Sequence, residues 1–152
     1  MQEGQCISED TFSIEVAALP YRYNSKMNID FGIIQNENKK FEVPSYKLKS
    51  GEGIEGAVEN ITDKYLSKSE KEPAMCLDKH LCCIMDSTNN ESPLTDYSSR
   101  IVIVYRLDFR GDQNFNSSII WKNPIEMADM LHGDKFERDH ENVVSWVIRS
   151  NG

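Results

Sequence analysis

Apolar and polar residues alternate first with a period of two. In Thr11 to Leu19, TFSIEVAAL, Phe12, Ile14 and Val16 are separated by polar neighbours before the run turns wholly apolar. That pattern predicts a strand entering a core. Pro20 interrupts it, and Tyr21 and Tyr23 extend it at an edge, where a missing amide donor is tolerated. Asn28 to Gln35 predicts a second strand, Asn36 to Lys40 a polar turn, and Phe41 to Val43 a short third strand ended by Pro44. The period then changes. After a loop holding Gly51 and Gly53, apolar residues fall at Ile54, Ala57, Val58, Ile61 and Tyr65, the stripe of a helix laid on a core. Glu55, Glu59 and Asp63 share another face of that helix. A glycine loop, the acid Glu52 and an acid-rich helix suit a metal or phosphate, and equally a capped helix with a solvated outer face.

Ser67 to Pro73 breaks the helix, and Cys76 to Met85 predicts a strand ending in the apolar LCCIM. Asp86 to Ser99 is polar and turn-forming, an exposed loop. Arg100 to Phe109, RIVIVYRLDF, is the strongest strand signal, and its continuous run Ile101 to Tyr105 suits a central strand covered on both faces. Gly111 to Ser118 forms a loop and Ile119 to Trp121 a short strand. Pro124 opens a helix, where its missing donor costs nothing. That helix runs through Ile125 to His132 with Met127, Met130 and Leu131 inward, and Gly133 stops it. Glu141 to Arg149 predicts a last helix burying Val143, Val144, Val147 and Ile148, with Trp146 to one side.

Composition narrows the class. Hydrophobic residues make up 39% and charged residues 28% of the 152, as in one ordinary soluble domain spanning 1–152, with residues 1–10 a tail or edge segment. The formal net charge of −8 makes this an acidic protein and disfavours nonspecific binding to nucleic acid or an anionic membrane. No apolar run approaches the roughly 20 residues of a membrane span, and MQEGQCISED is too acidic and polar for a signal peptide. Cys6, Cys76, Cys82 and Cys83 lack the spacing of a zinc site and read as reduced thiols, which points to the cytoplasm. His80, His132 and His140 lie on different elements, none at a catalytic spacing from Cys or Ser.

In this order of elements, Val43 to Leu66 resembles the hallmark segment of the Nudix hydrolases. Pro44 matches the family's leading proline, Gly51-Glu52 its Gly-Glu before the helix, and Ile54, Ala57 and Val58 its apolar positions. His80 to Phe109 resembles the family's strand, polar loop and strand, and Trp121 to Leu131 its tryptophan and short helix. The motif is degenerate where the family does its chemistry. Ser45 and Tyr46 stand in place of two glycines, Asn60 and Ile61 in place of Arg-Glu, and Lys64 and Tyr65 in place of Glu-Glu. GEGIEGAV also resembles a segment of GAF ligand-binding domains, over eight residues.

The Nudix resemblance implies an α/β fold, an α/β/α sandwich around a mixed, twisted sheet. In the family, the motif glutamates hold magnesium and activate the water that attacks a nucleoside-diphosphate linkage. Here only Glu52 remains as a candidate catalytic or metal-binding carboxylate. Glu55, Glu59 and Asp63 lie nearly opposite the motif positions on the helix and do not substitute. The first expectation is therefore a non-catalytic module that binds a nucleotide-type small molecule or a protein, without a cofactor, through Tyr46, Lys64 and Tyr65. The alternative is a divergent magnesium-dependent hydrolase of a nucleoside diphosphate linked to another group. It would use Glu52 with carboxylates of the later loops, Glu91, Asp96 or Asp112.

Overall fold

A computed structural model describes residues 12–88 and 99–151. Seven strands form one mixed sheet: β1 (Phe12–Tyr23), β2 (Ile29–Gln35), β3 (Phe41–Glu42), β4 (Ser45–Lys47), β5 (Cys76–Thr88), β6 (Ser99–Phe109) and β7 (Ile120–Lys122). The main path runs β3-β2-β1-β6-β5, with β4 paired to β1 and β7 to β2. Strands β1 and β6 lie parallel along their whole length, from Phe12 opposite Ser99 to Arg22 opposite Phe109. The other pairings are antiparallel. The helices among the described residues are α1 (Ile54–Ile61), α2 (Pro124–His132) and α3 (Arg138–Asn151).

Alternation along β1 explains the three layers. Val16 and Ala18 face one side, where they meet Ala57, Val58, Ile61, Leu66, Leu107 and Phe109 in one buried cluster. Ala17 and Leu19 face the other, where they meet Val102, Val104, Met127 and the Val143, Val144 and Val147 stripe of α3. One strand thus supplies both cores, and α1 lies on one face of the sheet with α2 and α3 on the other. The expected continuous apolar run in β6 is flanked by β1 and β5, and Val102, Ile103 and Val104 are buried.

Pro20 does not interrupt the first strand, contrary to the reading from sequence. Its position explains why. On the edge of β1 away from β6, Glu15 to Ala17 pair with β4 and Tyr21 to Tyr23 pair with β2. The Ala18 amide points to that edge, donating to the Pro44 carbonyl at 2.9 Å. Two residues on, the Pro20 nitrogen points the same way, into the gap between the two ladders, so no ladder bond is lost. Gly32 makes room for the ring: a Cβ there would lie 3.1 Å from the Pro20 side chain. The short strand Ser45–Lys47 after Pro44 was not anticipated.

Other differences are local. The fifth strand continues to Thr88, three residues past the expected end. Its register shifts between Leu81 and Cys83, a bulge that lets Cys82 and Cys83 both pack against the α3-side core. Of the loop expected over 86–99, residues 86–88 end β5 and Ser99 opens β6, while the rest of it and the tail at 1–10 lie outside the described residues. Helix α2 starts on a reciprocal capping box: the Asn123 side chain accepts from the Glu126 amide at 2.8 Å, and the Glu126 carboxylate accepts from the Asn123 amide at 3.0 Å.

Candidate functional site

The loop before α1 is built around Glu52. Gly51 turns it with φ of 87°, a left-handed conformation that costs glycine little. The Glu52 amide donates to the Lys49 carbonyl at 3.1 Å, and the Lys49 amide donates back to Glu52 Oε1 at 2.7 Å. Tyr46, carried by β4 opposite Val16, donates its hydroxyl to Glu52 Oε2 at 2.7 Å. Both carboxylate oxygens are therefore engaged. The Tyr46 hydroxyl, followed by the Lys49 amide, holds the Glu52 carboxyl below its ordinary pKa. The same bond raises the Tyr46 phenol, because ionising it would set two anions side by side. Lys49 was not among the residues singled out from sequence. Its contribution is a backbone donor, which a side-chain pattern does not display.

Helix α1 does not end as an α-helix. Thr62–Leu66 form a π-helical turn, closed by the Ser67 amide donating to the Thr62 carbonyl at 2.9 Å. Thr62 also turns its hydroxyl back onto the Val58 carbonyl at 3.0 Å. The wider turn moves the inward face along by one residue. Ile61 and then Leu66 are the buried pair, at 1% and 0% exposure. Tyr65, expected as the last residue of the buried stripe, is only half-buried against that core. Lys64 is exposed, its ammonium 5.0 Å from the centre of the Tyr65 ring. Tyr46, Leu48, Ile54 and Tyr65 rest on the same α1-side core. The structure thus brings Tyr46 onto Glu52 and Lys64 onto Tyr65. Among the described residues, no ring contact joins Tyr46 to Tyr65.

Magnesium, implied by the family resemblance, takes about six hard oxygen ligands. The residues here do not fit it. Ile61 is apolar and buried, Lys64 is cationic and Tyr65 is a phenol, which leaves Glu52, already accepting from Tyr46 and Lys49, as a single carboxylate. Glu55, Glu59 and Asp63 are exposed. Among the described residues, no three His, Cys, Asp or Glu side chains lie close enough to hold a metal ion. Asp112 forms a surface ion pair with Arg110 at 2.8 Å, and Glu91 and Asp96 lie outside the described residues.

Among the described residues, His140, His80, Arg106 and Tyr21 have structural partners. His140 Nδ1 accepts from the Val43 amide at 2.8 Å. His80 Nε2 lies 3.0 Å from Asp108, whose carboxylate also takes the Arg106 guanidinium at 2.8 Å. Arg106 in turn stacks 4.4 Å over Tyr21, and burial, then the Tyr23 hydroxyl, pushes the Tyr21 phenol up to about 12. Burial raises the Cys76, Cys82 and Cys83 thiols, which disfavours the reactive thiolate.

No family model matches the sequence, and no curated protein matches it. Solved structures do match. The Nudix domain of Shewanella oneidensis NrtR, complexed with ADP ribose, superposes with a TM-score of 0.68 at 11% identity, over 100% of both chains. An Ap4A hydrolase from C. elegans gives 0.63 at 12% identity, over 93% of this chain and 100% of that one. A MutT structure, from work on Aliivibrio salmonicida and Vibrio cholerae, gives 0.61 at 18% identity, over 90% and 96%. At these identities the likeness is one of fold, and the chain has the Nudix α/β/α sandwich.

Proposed function

We propose that this Nudix-fold chain is a non-catalytic module that binds a nucleotide-type ligand beside α1. The observation that carries this reading is the state of Glu52. Its two oxygens are taken by Tyr46 and Lys49, and the other motif positions hold Ile61, Lys64 and Tyr65. Such a surface has little means to activate water, because a metal-bound or base-activated nucleophile is held by several converging carboxylates, and Glu52 stands alone among the motif positions. It does have the means to bind. Tyr65 offers a half-buried ring, Lys64 an exposed ammonium for one phosphate charge, and Tyr46 a second ring on the same core. That a similarly folded Nudix domain was solved with ADP ribose supports a ligand of this kind.

Thermal unfolding with a panel of nucleoside diphosphates, dinucleotides and ADP ribose tests the proposal. At least one member should raise the melting temperature and be recovered unconsumed, and Lys64→Ala should remove the shift. No shift with any member would sink the ligand reading and leave the surface to a protein partner. Hydrolysis of a member, stopped by Glu52→Gln, would instead establish a divergent hydrolase.

A further inference from the structure

Arg22 of β1, Lys68 just beyond the π-turn, the loop between β6 and β7, and Trp121 of β7 line an open pocket of about 320 Å3 that none of Tyr46, Lys64 and Tyr65 lines. We propose that it is a second ligand site, which takes the phosphoryl group of a small molecule between Arg22 and Lys68.

The Arg22 guanidinium is held in place by aromatic faces. Its central carbon lies 4.1 Å from the centre of the Trp121 ring and 5.7 Å from that of Phe115, and the two rings meet at 4.9 Å. A guanidinium has five N–H donors. Among the described residues, Arg22 spends them on one ion pair, to Asp30 at 3.5 Å, and its buried Nε has no hydrogen-bond partner. Buried donors are rarely left so, and the cation is short of acceptors. Lys68, which lines the same pocket, is exposed and pairs with Glu72 at 3.9 Å, the far end of ion-pair range. Both acids thus leave their cations only weakly neutralised. In a chain of net charge −8, two cations lining one cavity favour an anion there.

The wall of the cavity is already built. Gln113 accepts from the Met75 amide at 2.7 Å and donates to the carbonyls of Met75 and Arg110 at 3.0 and 3.1 Å. Asn116 donates its side-chain amide to the Ser67 carbonyl at 3.2 Å and accepts from the Ser118 amide at 2.9 Å. Binding therefore does not require this loop to be ordered first. A stacked guanidinium can present paired donors to two oxygens of one group, and Lys68 can add a point charge from the same pocket. That combination suits a phosphoryl group, which has a third oxygen to offer.

Trp121 makes the site readable. The chain has two tryptophans, so Trp146→Phe leaves Trp121 as the one reporter. Inorganic pyrophosphate, added at constant ionic strength, should change its emission saturably. Lys68→Ala, at an exposed position, should weaken the affinity about tenfold or more. Arg22→Lys, which keeps the charge but loses the stacked fork, should weaken it similarly. Lys64→Ala should leave it unchanged, which separates this site from the surface beside α1. The proposal is overturned if pyrophosphate gives no saturable change, if sodium chloride reproduces the change, or if Lys68→Ala binds as tightly as the parent.

Discussion

At the scale of single residues, the contact between Tyr46 and Glu52 sets a pH window. The carboxyl is held below its ordinary pKa, so its contribution is present above the unfolded value of about 4.3 and is lost as pH falls through the folded value. The phenol is raised, so its contribution is present below about 10 and is lost as pH rises through the folded value. The bond is therefore intact across the neutral range and opens at both extremes. Tyr46→Phe should let Glu52 titrate nearer an ordinary glutamate, as read from its side-chain carboxyl carbon resonance. The difference in melting temperature between the variant and the parent should shrink in acid. An unmoved Glu52 titration would show that the Lys49 amide alone holds the carboxylate.

Among the elements, α1 and α2 show two ways of ending a helix segment. Helix α1 widens into a π-turn, which carries the buried position from Tyr65 to Leu66 and leaves Tyr65 half-buried beside Lys64. Helix α2 begins on side chains that close on each other, Asn123 and Glu126. An N-cap of this kind contributes about 1 kcal/mol. Asn123→Ala should lower the free energy of unfolding by about that amount, read as a shift of the urea midpoint at unchanged slope. A loss near zero would mean that packing of Met127, fully buried under α2, holds the helix without its cap.

For the whole molecule, stability depends on a sheet covered on both faces. Val104 is fully buried in the interior strand β6, in the core under α3. Burying a valine is worth roughly 1.5–3 kcal/mol, and an unpaired carboxylate in its place adds a desolvation cost. Val104→Asp should cost more than about 4 kcal/mol, a large part of the stability of a domain of this size. Circular dichroism during urea unfolding checks it. A cooperative transition close to the parent's would contradict the two-core account.

Residue periodicity alone determined the order of most elements. Strands β1, β2, β3, β5, β6 and β7 and the three helices of the described residues were legible, because most must turn an apolar face inward and the 2.0 and 3.6 periods write that need into the sequence. Periodicity did not reveal the departures at Ile61, Lys64 and Tyr65; they were legible only against the resemblance to the Nudix segment. Tertiary structure decided the rest. Pro20 stays inside β1 only because the gap between two ladders receives its nitrogen and Gly32 receives its ring. The π-turn needs a carbonyl five residues back, a choice that side-chain pattern does not record. Glu52 accepts from Tyr46 because β4 pairs with β1 and brings a phenol from six residues away. Arg22 meets Trp121 from the far side of the sequence through β2, which pairs with both β1 and β7. Periodicity reports which way a side chain faces. Strand register reports what it meets there, and register is set by the chain as a whole.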